Sequence, residues 1–137
     1  MTPVLLDTGC IVALLDRSER HHAACVEAVE DIAAPLVTCE AVIAEACYLL
    51  RDLDGAADAV LDNVEAGVFE IPLRLSASVR GIRGLMKKYA RVPMDFADAC
   101  LVQLADDVGT GSILTLDSDF RVYRWRKTRR FELLLDV

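Results

Sequence analysis

At 137 residues, 54% of them hydrophobic and 27% charged, the chain suffices for one core and is too short for two ordinary domains. That apolar content excludes a disordered chain, and with no uncharged apolar run of about 18 residues and no basic leader before residue 7, neither a membrane span nor a signal peptide is expected. A net charge of −7 argues against indiscriminate coating of nucleic acid, although residues 1–73 hold 14 acids and 3 bases against 8 and 12 in residues 74–137, which leaves room for a polyanion partner.

Val4–Leu6 reads as a short buried strand, followed by Asp7-Thr8-Gly9 and a helical stretch over Cys10–Leu15. A polar turn, Asp16–Arg20, leads into a helix near His22–Ile32 whose Cys25, Ala28, Val29 and Ile32 share one face. Pro35 ends it, and Leu36–Thr38 forms a second strand. Thr38 or Cys39 opens a helix to about Leu53; Asp54-Gly55 punctuates the chain before a helix over Ala56–Glu65. Val68–Ile71 is a third strand closed by Pro72, and residues 76–90 are helical despite Gly81 and Gly84. Pro93 and Asp95 mark a helix running to about Asp107, and Gly109-Thr110-Gly111 turns the chain into a fourth strand, Ser112–Leu116. A short helical turn over Asp117–Phe120 and an edge strand within Phe131–Leu135 complete the order. Strands alternating with helices require crossover connections. The expected fold is therefore α/β: one three-layer α/β/α sandwich over residues 1–137, with a parallel central sheet. The five cysteines include no C-x-x-C pair and sit in apolar segments, as small buried hydrophobes of a reducing, cytoplasmic protein do.

Certain acids are isolated among apolar neighbours. Asp7 is the only charge in residues 1–15, Glu45 the only one in 41–50, and Asp98 the only one between Phe96 and Ala105. Asp117 follows Ile113-Leu114-Thr115-Leu116, with Asp119 two residues on. Capping explains some of these positions: Asp7 before a helix, Asp95 and Asp98 at capping-box spacing, Asp117 or Asp119 at a turn. Glu45 lies inside its helix and cannot cap. That helix is apolar on every side, which predicts a buried helix with no wet face for Glu45.

In a parallel sheet, Asp7 and Asp117 both fall at the carboxyl edge, where open α/β folds bind ligands. Four ionised carboxylates within about 5 Å of one another, at an effective dielectric of about 20, repel by roughly 3 kcal/mol per pair. Six pairs approach 20 kcal/mol, more than a typical domain's stability of about 5–15 kcal/mol. Either several are protonated or a cation is present, the second being favoured with four acids; an all-oxygen donor set suits Mg²⁺ or Mn²⁺, and sometimes Ca²⁺. His21 and His22 are adjacent in a charged stretch and lack the spacing of zinc ligands. No phosphate-binding glycine fingerprint and no nucleophile elbow is present.

With these residues laid out, the chain resembles a PIN-domain ribonuclease of the VapC toxin type. The opening Val-Leu-Leu-Asp7-Thr8, Glu45 within Thr38-Cys-Glu-Ala-Val-Ile-Ala-Glu45, Met94-Asp95-Phe-Ala-Asp98-Ala, and Leu114-Thr115-Leu116-Asp117-Ser118-Asp119-Phe120 are similar to that family's four acidic motifs, in order. The resemblance implies a Mg²⁺- or Mn²⁺-dependent endoribonuclease acting on single-stranded RNA segments, with a cognate antitoxin partner and a homodimeric state. It implies that Asp7, Glu45, Asp98 and Asp117 hold the metal, with Asp119 a further candidate. Thr8, Asp95 and Thr115 would support them. Arg121, Arg124, Arg126 and Lys127, together with Arg129 and Arg130 and the interleaved Tyr123 and Trp125, offer phosphate contacts and base stacking. Arg80, Arg83, Lys87, Lys88 and Arg91 follow roughly helical spacing and offer more of the same. Two other readings remain: a non-catalytic PIN-like module that binds RNA or protein, and another Mg²⁺-dependent phosphoesterase. The second fits poorly, since Asp7-Thr8-Gly9 is not the D-x-D of a dehalogenase-type phosphatase. A phosphoacceptor domain wants a Lys after its late strand, and none follows Leu116 before Lys127.

Overall fold

The computed structural model describes residues 1–135; the last two residues of the expected domain lie outside it. Five short parallel strands make the sheet, in the order β3-β2-β1-β4-β7. They are β1 (Val4–Leu6), β2 (Leu36–Val37), β3 (Phe69–Glu70), β4 (Ser112–Leu114) and β7 (Glu132–Leu133). Leu5 and Leu6 of β1 and Ile113 and Leu114 of β4 have no exposed surface. That is why these strands read as uninterrupted apolar runs rather than as alternating ones.

Helices flank the sheet on both sides: α1 (Thr8–Leu15), α2 (His22–Glu30), α3 (Glu40–Leu49), α4 (Ala56–Glu65), α5 (Leu75–Lys88) and α6 (Phe96–Val108). The first two crossovers step outward from β1 to β2 to β3, and the third returns past β1 to β4. The strand order thus reverses between β1 and β4, the position at which a crevice opens at the carboxyl edge. α6 is buried along Ala97–Leu101 and ends at Gly109, whose left-handed φ of 73° closes the helix.

The expected elements are present with shorter strands and shifted ends. α1 starts two residues early because the Asp7 side chain accepts the Thr8 N–H and caps it. α3 ends at Leu49, short of Leu53. An antiparallel hairpin, β5 (Arg124–Trp125) with β6 (Arg129–Arg130), was not foreseen. All five cysteines are free thiols, four buried and Cys47 half-buried.

Candidate active site

Asp7, Glu45, Asp95, Asp98 and Asp117 line one cavity of about 300 Å³ at the carboxyl edge, together with Thr8, Gly9, Leu49 and Leu116. Five acids face it and no basic side chain does. Asp7 leaves the end of β1 and Asp117 follows β4, on either side of the strand-order reversal. Asp98 sits in the first turn of α6, where the carboxylate of Asp95 accepts its N–H at 2.8 Å. Asp95 is therefore both the cap of α6 and a wall of the cavity.

Two hydroxyls fix the innermost carboxylates. Thr115 donates to Asp7 Oδ2 at 2.7 Å, while its oxygen accepts the Asp117 N–H at 3.0 Å, tying two acids to one side chain. Tyr123 donates to Asp98 Oδ2 at 2.9 Å. Burial pushes the Asp7 carboxyl up to about 6 against the pull of hydrogen bonds from Thr115 and Thr8, with Asp117 and Glu45 raising it further. Burial likewise pushes Asp98 up to about 7, reinforced by Asp95, Asp7 and Asp117 and opposed by the Tyr123 hydroxyl. Burial and the carboxylate beside it raise the Tyr123 phenol, so it remains a donor.

The site as read from sequence needs four changes. Glu45 is exposed rather than buried, because α3 turns Ala44, Glu45, Tyr48 and Leu49 outward in this chain; an apolar helix face here is an uncovered one. Asp119 does not line the cavity; its N–H donates to Asp117 Oδ1 at 2.9 Å, so that Asp117 caps the turn. Tyr123 and Trp125 are buried and cannot stack bases. Finally, the basic run parts company with the carboxylates. Arg121 borders a small hollow with Asp117 and Thr115, and Arg124 spends Nη1 on the carbonyls of Arg121, Val122 and Tyr123. The Arg126 N–H bonds the Asp106 carboxylate at the far end of α6, about 12 Å along the helix from Asp98. None of Arg80, Arg83, Lys87, Lys88 and Arg91 lines the cavity. The functional residue missed was Tyr123 as the support of Asp98; sequence offers no signal to separate a buried Tyr from a stacking one.

The donor set fits a hard divalent cation. All its atoms are oxygens, and the Thr8 hydroxyl is buried with no hydrogen-bond partner, an orphan that a cation's water would satisfy. Among the described residues no three His, Cys, Asp or Glu side chains form a ready-made cage. Mg²⁺ does not need one, since it keeps several waters and uses one or two carboxylates directly.

A model of the PIN domain family matches residues 4–126. The chain is 34% identical to ribonuclease VapC26 of Mycobacterium tuberculosis over 116 residues, which is 83% of this chain and 86% of that protein. The crystal structure of VapC20 of M. tuberculosis, a toxin that cleaves the sarcin–ricin loop, matches with a TM-score of 0.78 over 92% of this chain and 98% of that one. At 19% identity this is a likeness of fold.

Proposed function

From the premise that the chain belongs to the PIN-domain family and is a relative of the VapC ribonucleases, we propose that it is a Mg²⁺- or Mn²⁺-dependent endoribonuclease. It hydrolyses phosphodiester bonds in single-stranded regions of RNA. It acts in the cytoplasm as the toxin of a toxin–antitoxin pair, and the whole chain serves as one nuclease domain. The observation that carries this reading is the cavity walled by five acids and no base.

Asp7, Glu45, Asp98 and Asp117 would hold the cation, directly or through water. When bound, such a cation offsets their repulsion, polarises the scissile phosphate and makes an attacking water more acidic. The protein's own part is positioning. Thr115 keeps Asp7 and the backbone of Asp117 in register, and Tyr123 and Asp95 hold Asp98 and the start of α6. An ionised carboxylate then orients the water in line with the leaving 3′-oxygen. The products are a 5′-phosphate and a 3′-hydroxyl. Arg121, which shares a small hollow with Asp117, would touch a neighbouring phosphate.

The exposed Tyr48, Leu49, Leu53 and Leu61 of α3 and α4 and the loop between them support a homodimer or antitoxin surface, since apolar patches of this kind mark interaction sites. No helix among the described residues is long and apolar enough to cross a membrane. The test is cleavage of a structured RNA with and without EDTA by wild type, Asp7→Asn and Asp98→Asn. Each variant should lose at least about 100-fold in rate, the order expected for a transition-state electrostatic contact. Cutting that persists in EDTA or in both variants refutes the assignment, as does a 2′,3′-cyclic phosphate product. Metal binding without cutting would favour the non-catalytic module.

A further inference from the structure

Beyond Arg121, the basic run turns away from the carboxylates toward the opposite edge of the sheet. Trp125 and Arg130 share a hollow of about 260 Å³ with Thr2, Gly111 and Ser112. Thr2 precedes β1 and Gly111 precedes β4, so this is the amino edge of both strands. Five residue-to-residue steps of extended chain lead from Thr2 to Asp7, about 16 Å. The exposed bases from Arg126 to Arg130 therefore lie away from the scissile bond.

It is nevertheless a built feature. The Trp125 indole is buried against the backbone of Gly111, where a Cβ would stand 2.1 Å from Nε1. The same Nε1–H donates to the Arg130 carbonyl at 3.2 Å. Arg126 and Arg129 lie near the ring, with guanidinium carbons 5.5 and 5.0 Å from its centre. The Asp106 carboxylate pins the Arg126 N–H. At the tip, Arg126 and Lys127 are, among the described residues, the two non-glycine residues in left-handed backbone, at φ 43° and 70°. L-residues adopt that conformation at an energetic cost that Gly avoids. Strain at a tip that displays two bases is a pointer to function. Arg126, Lys127, Arg129 and Arg130 are all exposed.

We propose that this hairpin is a second RNA-binding site. It would hold backbone phosphates of a large structured RNA at the pole opposite the carboxylates. The inference rests on the ribonuclease reading above. The physical need is plain: with five acids at its cavity and a net charge of −7, the protein repels a polyanion at the place where it cuts. Attraction has to come from elsewhere on the surface. Five bases in the seven residues Arg124–Arg130 are the densest positive stretch of the chain, and arginine forks match phosphate oxygens. An RNA must extend beyond about 16 Å to reach both poles, so affinity should depend on substrate size.

The test measures binding in EDTA, so that nothing is cut, across a salt series. One probe is a stem–loop RNA of roughly 30 nucleotides, the other a single strand of about four. Lys127→Gly with Arg129→Gln and Arg130→Gln should weaken the stem–loop roughly 100-fold at about 0.1 M salt and flatten its salt slope by about 2, while cutting of the short strand, followed separately in Mg²⁺, keeps its wild-type rate. Lys127→Gly alone should weaken the stem–loop severalfold while its melting temperature holds or rises, which excludes unfolding as the cause. An equal loss in cutting of the short strand, or an unchanged slope, overturns the proposal. So does impaired self-association in sedimentation with RNA affinity intact, which would make the hairpin a protein interface. Failure of the ribonuclease reading is scored separately, by wild type leaving the stem–loop uncut in Mg²⁺.

Discussion

Each innermost carboxylate has a different keeper, and the keepers differ in how far sequence revealed them. Thr115 is two residues before Asp117 in an acidic motif, and its role beside Asp7 follows from that placement. Tyr123 sits among arginines, where an aromatic reads as a platform for bases; only its burial and its 2.9 Å bond to Asp98 show otherwise. Phenylalanine keeps the ring's edge-to-face contacts with Tyr89 and Phe120, each at 5.1 Å between centroids, and removes the hydroxyl alone. Tyr123→Phe should therefore fold, at a cost of about 1–2 kcal/mol for the lost bond. The hydroxyl opposes the rise of the Asp98 pKa, so its loss moves that carboxyl further up and lets protons compete better with metal. Mn²⁺ affinity at pH 7 should fall roughly tenfold, the lower end of what supporting contacts contribute, and the pH at which binding sets in should rise. Calorimetric titration at several pH values checks both. A Tyr123 that serves packing alone would change stability and leave the pH onset where it was.

At the scale of elements, the helices were legible because each carries its own punctuation: Asp95 before α6, Asp54-Gly55 before α4, Pro35 after α2. The parallel strands were legible as buried apolar runs. Two features were not. The outward face of α3 carries Ala44, Tyr48 and Leu49 beside Glu40 and Glu45, so periodicity could not distinguish an uncovered surface from a core. The β5–β6 hairpin escaped because its turn is Arg126-Lys127-Thr128 rather than a sequence rich in Gly and Asn, and because its strands are two residues long. What seats the hairpin is distant in sequence: Gly111, which leaves room for the indole of Trp125. Gly111→Ala should displace that ring and cost about 2–3 kcal/mol, the upper range for overpacking a tight site. Trp125 is the only tryptophan, so its emission reports the displacement directly and should shift to the red. The carboxylate cavity is about 16 Å away across the sheet, and metal affinity should be preserved. An unshifted emission spectrum would show that the ring does not depend on Gly111.

For the molecule as a whole, the acid cluster makes the metal-free fold respond to pH in the sense opposite to ordinary salt-bridged carboxylates. Asp7 and Asp98 titrate near 6 and 7 in the folded chain against a usual value of 3.8, so the folded state holds these protons more tightly than the unfolded state does. Their stabilising contribution is complete below about pH 4 and is lost as pH rises through about 6 and then 7. Asp16, held low by Ser18, acts in the other sense, but below this window. In EDTA the urea midpoint should fall between about pH 4.5 and 7.5, and Asp98→Asn should flatten the upper part of that decline. A divalent cation binds the ionised cluster and favours the folded state; at about 100 times its Kd it adds about 2.7 kcal/mol. With Mn²⁺ in that excess the decline should therefore shrink or reverse, and the gap between the two curves should widen with pH. A midpoint in EDTA that climbs steadily over the same range, or one indifferent to Mn²⁺, would mean that these acids do not share a site, and the residues isolated along the sequence would have to be explained singly, as caps and turns.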